Sequence, residues 1–381
     1  MPITARAQFA GSASGSVQYE HNSNVFALGS GLPQPGRSDR RGGDSFVAYQ
    51  GGFDVNYLVG SQQLYATASA AEFKYQRFTE LDHTAYNIDT GLKWALGHIL
   101  DGGFDVARSR TMVQFYDLNQ SILSLNTVQK ETAQIGVKLP SEWRLEGLVY
   151  TSTLRQPLPT EPDLQSKESS GTVAAKYLGI ARFTMGVSAG FTSGDFQGTN
   201  GIGKRSYRQT TGGVVAGYVS GRSTLDGQLG YTRRTSADGT NDTSGITGAI
   251  AVTDQLTPKT SVQVKLSRAL NSYVTNASAE VDSTAAFSVN WQATYKLNAS
   301  LGYTFTYRKY PGQGNDPVGS DRKDIQEYVT LGVSYQPRRW LVIKPYADLQ
   351  TRSSVNIGAA FNQTIFGVYF TVLTPAKAKA R

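Results

Sequence analysis

Acid–base chemistry near neutral pH would fall first to histidine, and the sequence holds three, His21, His83 and His98. None of them has partners at a spacing that builds a site. His21 lies in a period-two stretch beside Glu20, Asn22 and Ser23. Consecutive strand residues point to opposite faces, so a nucleophile and its base do not assemble there. His83 and His98 are one predicted strand crossing apart and fall at opposite ends of that strand. A lipase-like or deacylase-like centre is not expected, and no catalytic residue is assigned.

Metal and phosphate chemistry fare no better. There is no Cys and no paired-His spacing. Asp238, Asn241 and Asp242 offer the oxygen ligands that Ca²⁺ takes, as do Asp316 and Asp321, but all lie in segments rich in Gly, Asn and Ser. Solvated loop acids are the expectation, with no metal and no cofactor. The run Gly198, Thr199, Asn200, Gly201, Ile202 and Gly203 has no helix behind it to bind phosphate and reads as a loop.

The larger set of chemistry-bearing residues is charged side chains recurring on the polar side of alternating stretches. Lys74, Lys93, Lys138, Arg144, Lys176, Arg182, Lys265, Arg308, Lys344 and Arg352 stand with Asp54, Glu72, Asp89, Glu146, Asp226 and Asp348. Any single member could be half of a cross-strand ion pair. Taken together, the basic members outnumber the acidic ones, and a low-dielectric tube with surplus positive charge concentrates anions. Gln50, Asn56, Gln134, Gln228, Gln263, Asn290 and Gln292 would add hydrogen-bonding partners for sugar hydroxyls.

Strands must position these residues. From Lys296 to Tyr310, Leu297, Ala299, Leu301, Tyr303, Phe305 and Tyr307 alternate with polar residues or glycine, and Arg182–Thr192 and Asn87–Leu96 repeat the pattern. Turn residues divide the chain into about eighteen such strands. The first runs from Ser16 to Leu28, the third from Gln63 to Phe78 and the last from Ile357 to Val372. Connections alternate between tight turns, as at Gly60 and Ser61 or Gly97 and His98, and long polar segments, as at Gly29 to Asp44. Outer-membrane barrels have short periplasmic turns and longer extracellular loops, which puts both termini in the periplasm.

Composition agrees. Only 17% of the 381 residues are charged, while Gly (40), Tyr (21) and Phe (16) are abundant. No apolar run reaches the length of a spanning helix, so a closed sheet is the remaining way across a bilayer. The net charge of +8 is spread along the chain without a basic helix or recognition motif, so nucleic-acid binding is not expected. A soluble sandwich or propeller is the rival, but no blade-like repeat is present. The expected fold is a transmembrane antiparallel up-and-down β-barrel in the bacterial outer membrane. Residues 16–373 form the barrel, between a periplasmic N-terminal segment (1–15) and a periplasmic C-terminal tail (374–381).

The opening stretch Tyr19, Glu20, His21, Asn22, Ser23, Asn24, Val25 and Phe26 resembles the first strand of the type-two β-barrel porins, in particular the EpsL-type outer-membrane proteins of exopolysaccharide biosynthesis operons. Gly60 to Tyr65 is similar to the first periplasmic turn of that family, and the run from Phe73 to Asn87 to its second hairpin. Trp94 to Gly97 and Leu139 to Trp143 continue the likeness, which covers less than half of the chain. Phe366 to Phe370 is similar to the aromatic insertion signal of outer-membrane barrels, although here the chain runs on to Arg381. The resemblance implies passive export of a secreted polysaccharide, with periplasmic and inner-membrane components as partners besides the outer-membrane lipid. The alternatives are a general or anion- or sugar-selective diffusion porin, and a structural or adhesive barrel acting through its outer loops.

Overall fold

Eighteen long strands alternate in direction and close on themselves. The computed structural model describes residues 7–29, 42–115, 122–157, 163–197, 205–237, 239, 242–272, 279–311, 322–354, 359–374 and 379–380. The first half comprises β1 (Ala7–Asn22), β2 (Asp44–Val59), β3 (Gln62–Tyr75), β4 (His83–Leu96), β5 (Leu100–Met112), β6 (Leu125–Lys138), β7 (Trp143–Gln156), β8 (Leu164–Ile180) and β9 (Phe183–Gln197). The second half comprises β10 (Arg205–Val219), β11 (Ser223–Ser236), β12 (Thr243–Thr257), β13 (Thr260–Ser272), β14 (Ala279–Trp291), β15 (Leu297–Lys309), β16 (Lys323–Arg338), β17 (Leu341–Ser354) and β18 (Phe361–Leu373).

Each strand pairs antiparallel with its sequence neighbours, and β1 pairs with β18 from Ser14↔Leu373 to Asn22↔Ile365. Closure satisfies the backbone groups that an open edge would leave exposed to hydrocarbon. Below that seam, Ala13 and Thr374 exchange hydrogen bonds of 2.8 and 2.9 Å. The two-residue β19 (Lys379–Ala380) then pairs with Gln8 and Phe9.

The first strand departs from expectation at both ends. It begins at Ala7, so residues 7–15 of the expected periplasmic N-terminal segment (1–15) belong to the barrel. Small residues there (Ala10, Gly11, Ser12, Ala13, Ser14, Gly15) give a weak hydrophobic signal, yet they pair opposite Asn56 to Gly51. The strand ends at Asn22 rather than Leu28. Asn24 turns the chain there, its amide accepting from Leu28 N–H at 3.1 Å and donating to Leu28 C=O at 3.0 Å.

Tight turns at one end make the reversals. Gly60 adopts φ +59°, a left-handed conformation that costs glycine little. Ser141 and Glu142 take φ of 62° and 63° without glycine, the two consecutive positive values that suit a hairpin reversal between twisted strands.

Facing residues in antiparallel pairs share a side of the sheet, so register assigns every side chain to one wall. One wall carries Tyr49, Phe53, Leu64, Phe104, Val149, Val187 and Leu229, all exposed, with Val173 and Ile246 reaching 62%. A soluble sheet would bury this face, whereas lipid solvates it. The soluble alternative is thereby excluded. Near the short turns Trp143 meets Tyr177 at 5.4 Å and Phe183 meets Tyr218 at 4.7 Å, an aromatic belt at the membrane boundary.

Candidate functional site

Register directs Asp54, Asp89, Lys93, Lys138, Arg144, Glu146, Lys176, Asp226, Lys265, Arg308, Lys344, Asp348 and Arg352 away from the apolar wall and into the lumen. Three other members of the charged set lie elsewhere. Glu72 and Lys74 face Tyr49 and Val47 and so point outward, with Lys74 Nζ 3.0 Å from Glu72 and 3.4 Å from Asp82. In β3 the outward positions Ala66, Ala68 and Ala70 are small, while Phe73 and Tyr75 turn inward, which inverts the apparent phase. Arg182 occupies the turn between β8 and β9 at φ 69°, exposed and off the wall.

Inside, basic residues are largely matched by acids. Arg144 holds Asp101 through two 2.8 Å bonds and Glu146 through a third, and Lys176 reaches Glu146 at 2.6 Å. Such bidentate pairing fixes geometry as well as charge. Arg308 lies 2.8 Å from Asp282 and 3.6 Å from Glu280. Arg352 lies 2.6 Å from Asp324, which also takes Arg322 at 2.9 Å and Tyr310 Oη at 3.1 Å. Burial, reinforced by the neighbouring Asp324 charge, pushes the Tyr310 hydroxyl above its usual range. The lumen also presents Glu20, Asp105 and Glu168, bonded to Tyr346, Tyr65 and Tyr150.

These acids offset the basic surplus read from the sequence. Lys138 leans 3.8 Å from Glu142 in the turn, and Lys93 lies over the Tyr65 ring at 5.4 Å. Lys265 and Lys344 form no ion pair among the described residues and are exposed to the lumen. Asp101, Asp105, Glu280 and Asp282 had the same alternating signal as the residues singled out. Which of them meets which cation depends on register, which composition does not carry.

Exposure along the inner wall is graded. Towards the short turns Gln50, Asp54, Gln134, Asp226, Gln228, Gln263, Lys265, Asn290 and Lys344 are open to solvent. Towards the long loops Phe46, Ala48, Tyr75, Gln156, Thr232, Arg234, Asp324 and Arg352 are buried. In one sector loop residues cover them: Val25, Phe26, Phe78, Leu81 and Phe115 pack onto Phe46, Ala48 and Tyr75. The Phe26 ring lies 4.8 Å from Phe78 and 4.9 Å from Phe115. Asp44 holds this arrangement by accepting the backbone N–H of Phe78 at 2.9 Å and of Arg77 at 3.0 Å.

The histidines occupy separate places. His21 is the penultimate residue of β1 rather than mid-strand, points outward, and lies 2.9 Å from Ser45 Oγ. His83 points inward at the same end, stacked on Phe73 at 4.6 Å, and His98 lies in the turn at the other end. No cluster of three or more potential metal ligands occurs among the described residues. Asp242 accepts the Ser236 N–H at 2.8 Å. Asp238, Asn241, Asp316, Asp321 and the glycine run 198–203 lie outside the described residues.

No protein-family model matches the chain, and neither does any curated protein. Solved structures match at the level of fold. The iron transporter FrpB from Neisseria meningitidis aligns with a TM-score of 0.53 at 11% identity, over 89% of this chain and 62% of FrpB. The copper transporter OprC aligns at 0.50 and 10% identity, over 91% of this chain and 62% of OprC. The outer membrane protein OpdK from Pseudomonas aeruginosa, 12% identical, has a TM-score of 0.48 with 96% of this chain and 99% of OpdK covered. This chain thus spans 62% of the length of the first two. The shared architecture is the closed barrel of bacterial outer-membrane proteins, and the outer membrane is where this chain resides.

Proposed function

We propose that the barrel is a passive diffusion channel for small polar solutes, sugars foremost, with its long loops outside the cell and its short turns in the periplasm. The carrying observation is the graded inner wall, polar and solvent-exposed towards the short turns and packed with loop side chains towards the other end. A ring of eighteen strands is wide enough for an aqueous lumen. Amides at Gln134, Gln228, Gln263 and Asn290 offer donors and acceptors without net charge, which suits hydroxyl-rich neutral solutes. With most wall cations matched by acids, discrimination between small anions and cations is expected to be weak.

Liposome swelling with neutral sugars of increasing size, alongside single-channel recording, tests this reading. Monosaccharides are expected to permeate and anion-to-cation permeability to lie within about threefold of unity, weakening further as salt screens the wall. Lys265→Glu with Lys344→Glu is expected to tilt the reversal potential towards cations without unfolding the barrel, because lumen substitutions tune selectivity. Absence of both conductance and sugar flux would overturn the channel and favour a barrel acting through its outer loops.

A second reading, exopolysaccharide export with periplasmic and inner-membrane partners, is favoured by the resemblance of Tyr19–Phe26, Gly60–Tyr65 and Phe73–Asn87 to EpsL-type proteins. The two separate in cells. Deletion that abolishes surface polysaccharide while leaving small-sugar uptake intact selects export, and the reverse selects the porin.

A further inference from the structure

On the outer wall, a polar groove interrupts the lipid-facing surface where strands β5 to β9 approach the long loops. The row Phe104, Ala133, Val149, Gly171 and Phe191 belongs to the apolar belt. Four residues further along β5 the row becomes Arg108, Gln129, Thr153, Lys167 and Asp195, and the next outward row is Arg110, Thr127, Arg155, Gln165 and Gln197. These side chains share the outward face of Phe104 and Val149, so they do not belong to the lumen. All of them except Arg110 line a recess of about 480 Å³, and Arg110 lies on the same face of β5, two residues beyond Arg108.

The chemistry of the recess is specific. Arg155 is paired with Asp163 at 2.7 Å, but Arg108, Arg110 and Lys167 form no ion pair among the described residues. Asp195 is the acid on the groove's own wall. Arg108 and Lys167 lie three strand spacings apart, roughly 14 Å, so two separate anionic groups can be held at once. Between them stand amides and hydroxyls rather than aliphatic side chains. Guanidinium and ammonium groups recognise phosphate, and amides recognise sugar hydroxyls.

We propose that this groove docks the phosphorylated sugar headgroup of an outer-leaflet glycolipid. Arg108, Arg110 and Lys167 take the phosphates, Gln129 and Gln165 the sugar, and the apolar row below takes the acyl chains. The acyl chains meet Phe104, Val149 and Phe191 just where the belt begins, so headgroup and tail positions agree with one lipid orientation. Charge complementarity and the belt directly beneath single out a membrane lipid over a soluble phosphate. The inference is independent of what passes through the lumen.

Purified barrel in detergent, titrated with lipopolysaccharide and followed by thermal unfolding and by retained lipid phosphate, tests it. Binding is expected to weaken at least tenfold in the triple variant Arg108→Gln, Arg110→Gln, Lys167→Gln, and by a similar factor when the lipopolysaccharide is enzymatically dephosphorylated. Inorganic phosphate at the same concentration is expected to give no shift. A wild-type β-sheet circular-dichroism spectrum and wild-type heat-dependent gel migration of the triple variant would show that it is folded. Should it not fold, Lys167→Gln alone, at an exposed position, is expected to weaken binding about threefold. Equal binding by wild type and variant, or equal binding of the dephosphorylated lipid, would overturn the proposal, as would inorganic phosphate competing it away.

Discussion

Asp324 is fully buried, yet it receives Arg352, Arg322 and Tyr310, and the Arg352 side chain is equally inaccessible. A buried pair contributes little over a well-packed apolar substitute, but removing one partner leaves an uncompensated charge. Asp324→Asn is therefore expected to destabilise the barrel by about 3–5 kcal/mol, read from urea unfolding in lipid vesicles. Combining it with Arg352→Met is expected to recover most of that loss. If the single variant unfolds with wild-type denaturant dependence, the ion pair is not structural. Arg352 and Arg308 were legible in the sequence as inward charges, whereas their partners were not. Cross-strand neighbours are fixed by a register that depends on turn geometry as much as on pattern. Glycine partners were equally hidden: a Cβ on Gly194 would run into the Tyr207 ring, so the bare backbone is what lets that ring pack against it.

Strands with strong two-residue alternation, such as β9 and β15, declared their faces in the sequence because Val187 or Tyr303 stands directly between glycine and serine or threonine neighbours. β3 misled because its outward residues are alanines and its largest rings serve the loops. The same inversion has a functional side. Phe73 and Tyr75 face the lumen where Phe26, Phe78, Leu81 and Phe115 pack, so these side chains form an apolar plug against part of the inner wall. Phe78 is 1% exposed at its centre. Phe78→Ala is expected to loosen this plug and raise single-channel conductance by about half or more while the strands remain folded. Unchanged conductance with unchanged noise would place the constriction elsewhere.

For the whole molecule, strand number, closure and the alternation of short and long connections were all accessible from turn residues and period. These features repeat along the chain and average out local errors. The proposed orientation in the membrane rests on the same alternation and can be measured. Cysteine at Glu80, beside the long-loop end, is expected to react with an impermeant thiol reagent on intact cells. Cysteine at Ser61 or at Tyr295, which is 84% exposed in a short turn, is expected to react only after the outer membrane is permeabilised. Reversed labelling would invert the assignment. Closure itself has a kinetic side. The seam joins Ser14 to Leu373, a pairing between parts of the chain far apart in sequence. Bringing such ends together costs only about 0.6 kcal/mol more for each doubling of the intervening length, but it cannot begin until β18 exists. Until then, the unpaired edges of β1 and of the most recently formed strand must be shielded from pairing with other chains, so the barrel stays open to misassembly until β18 is made.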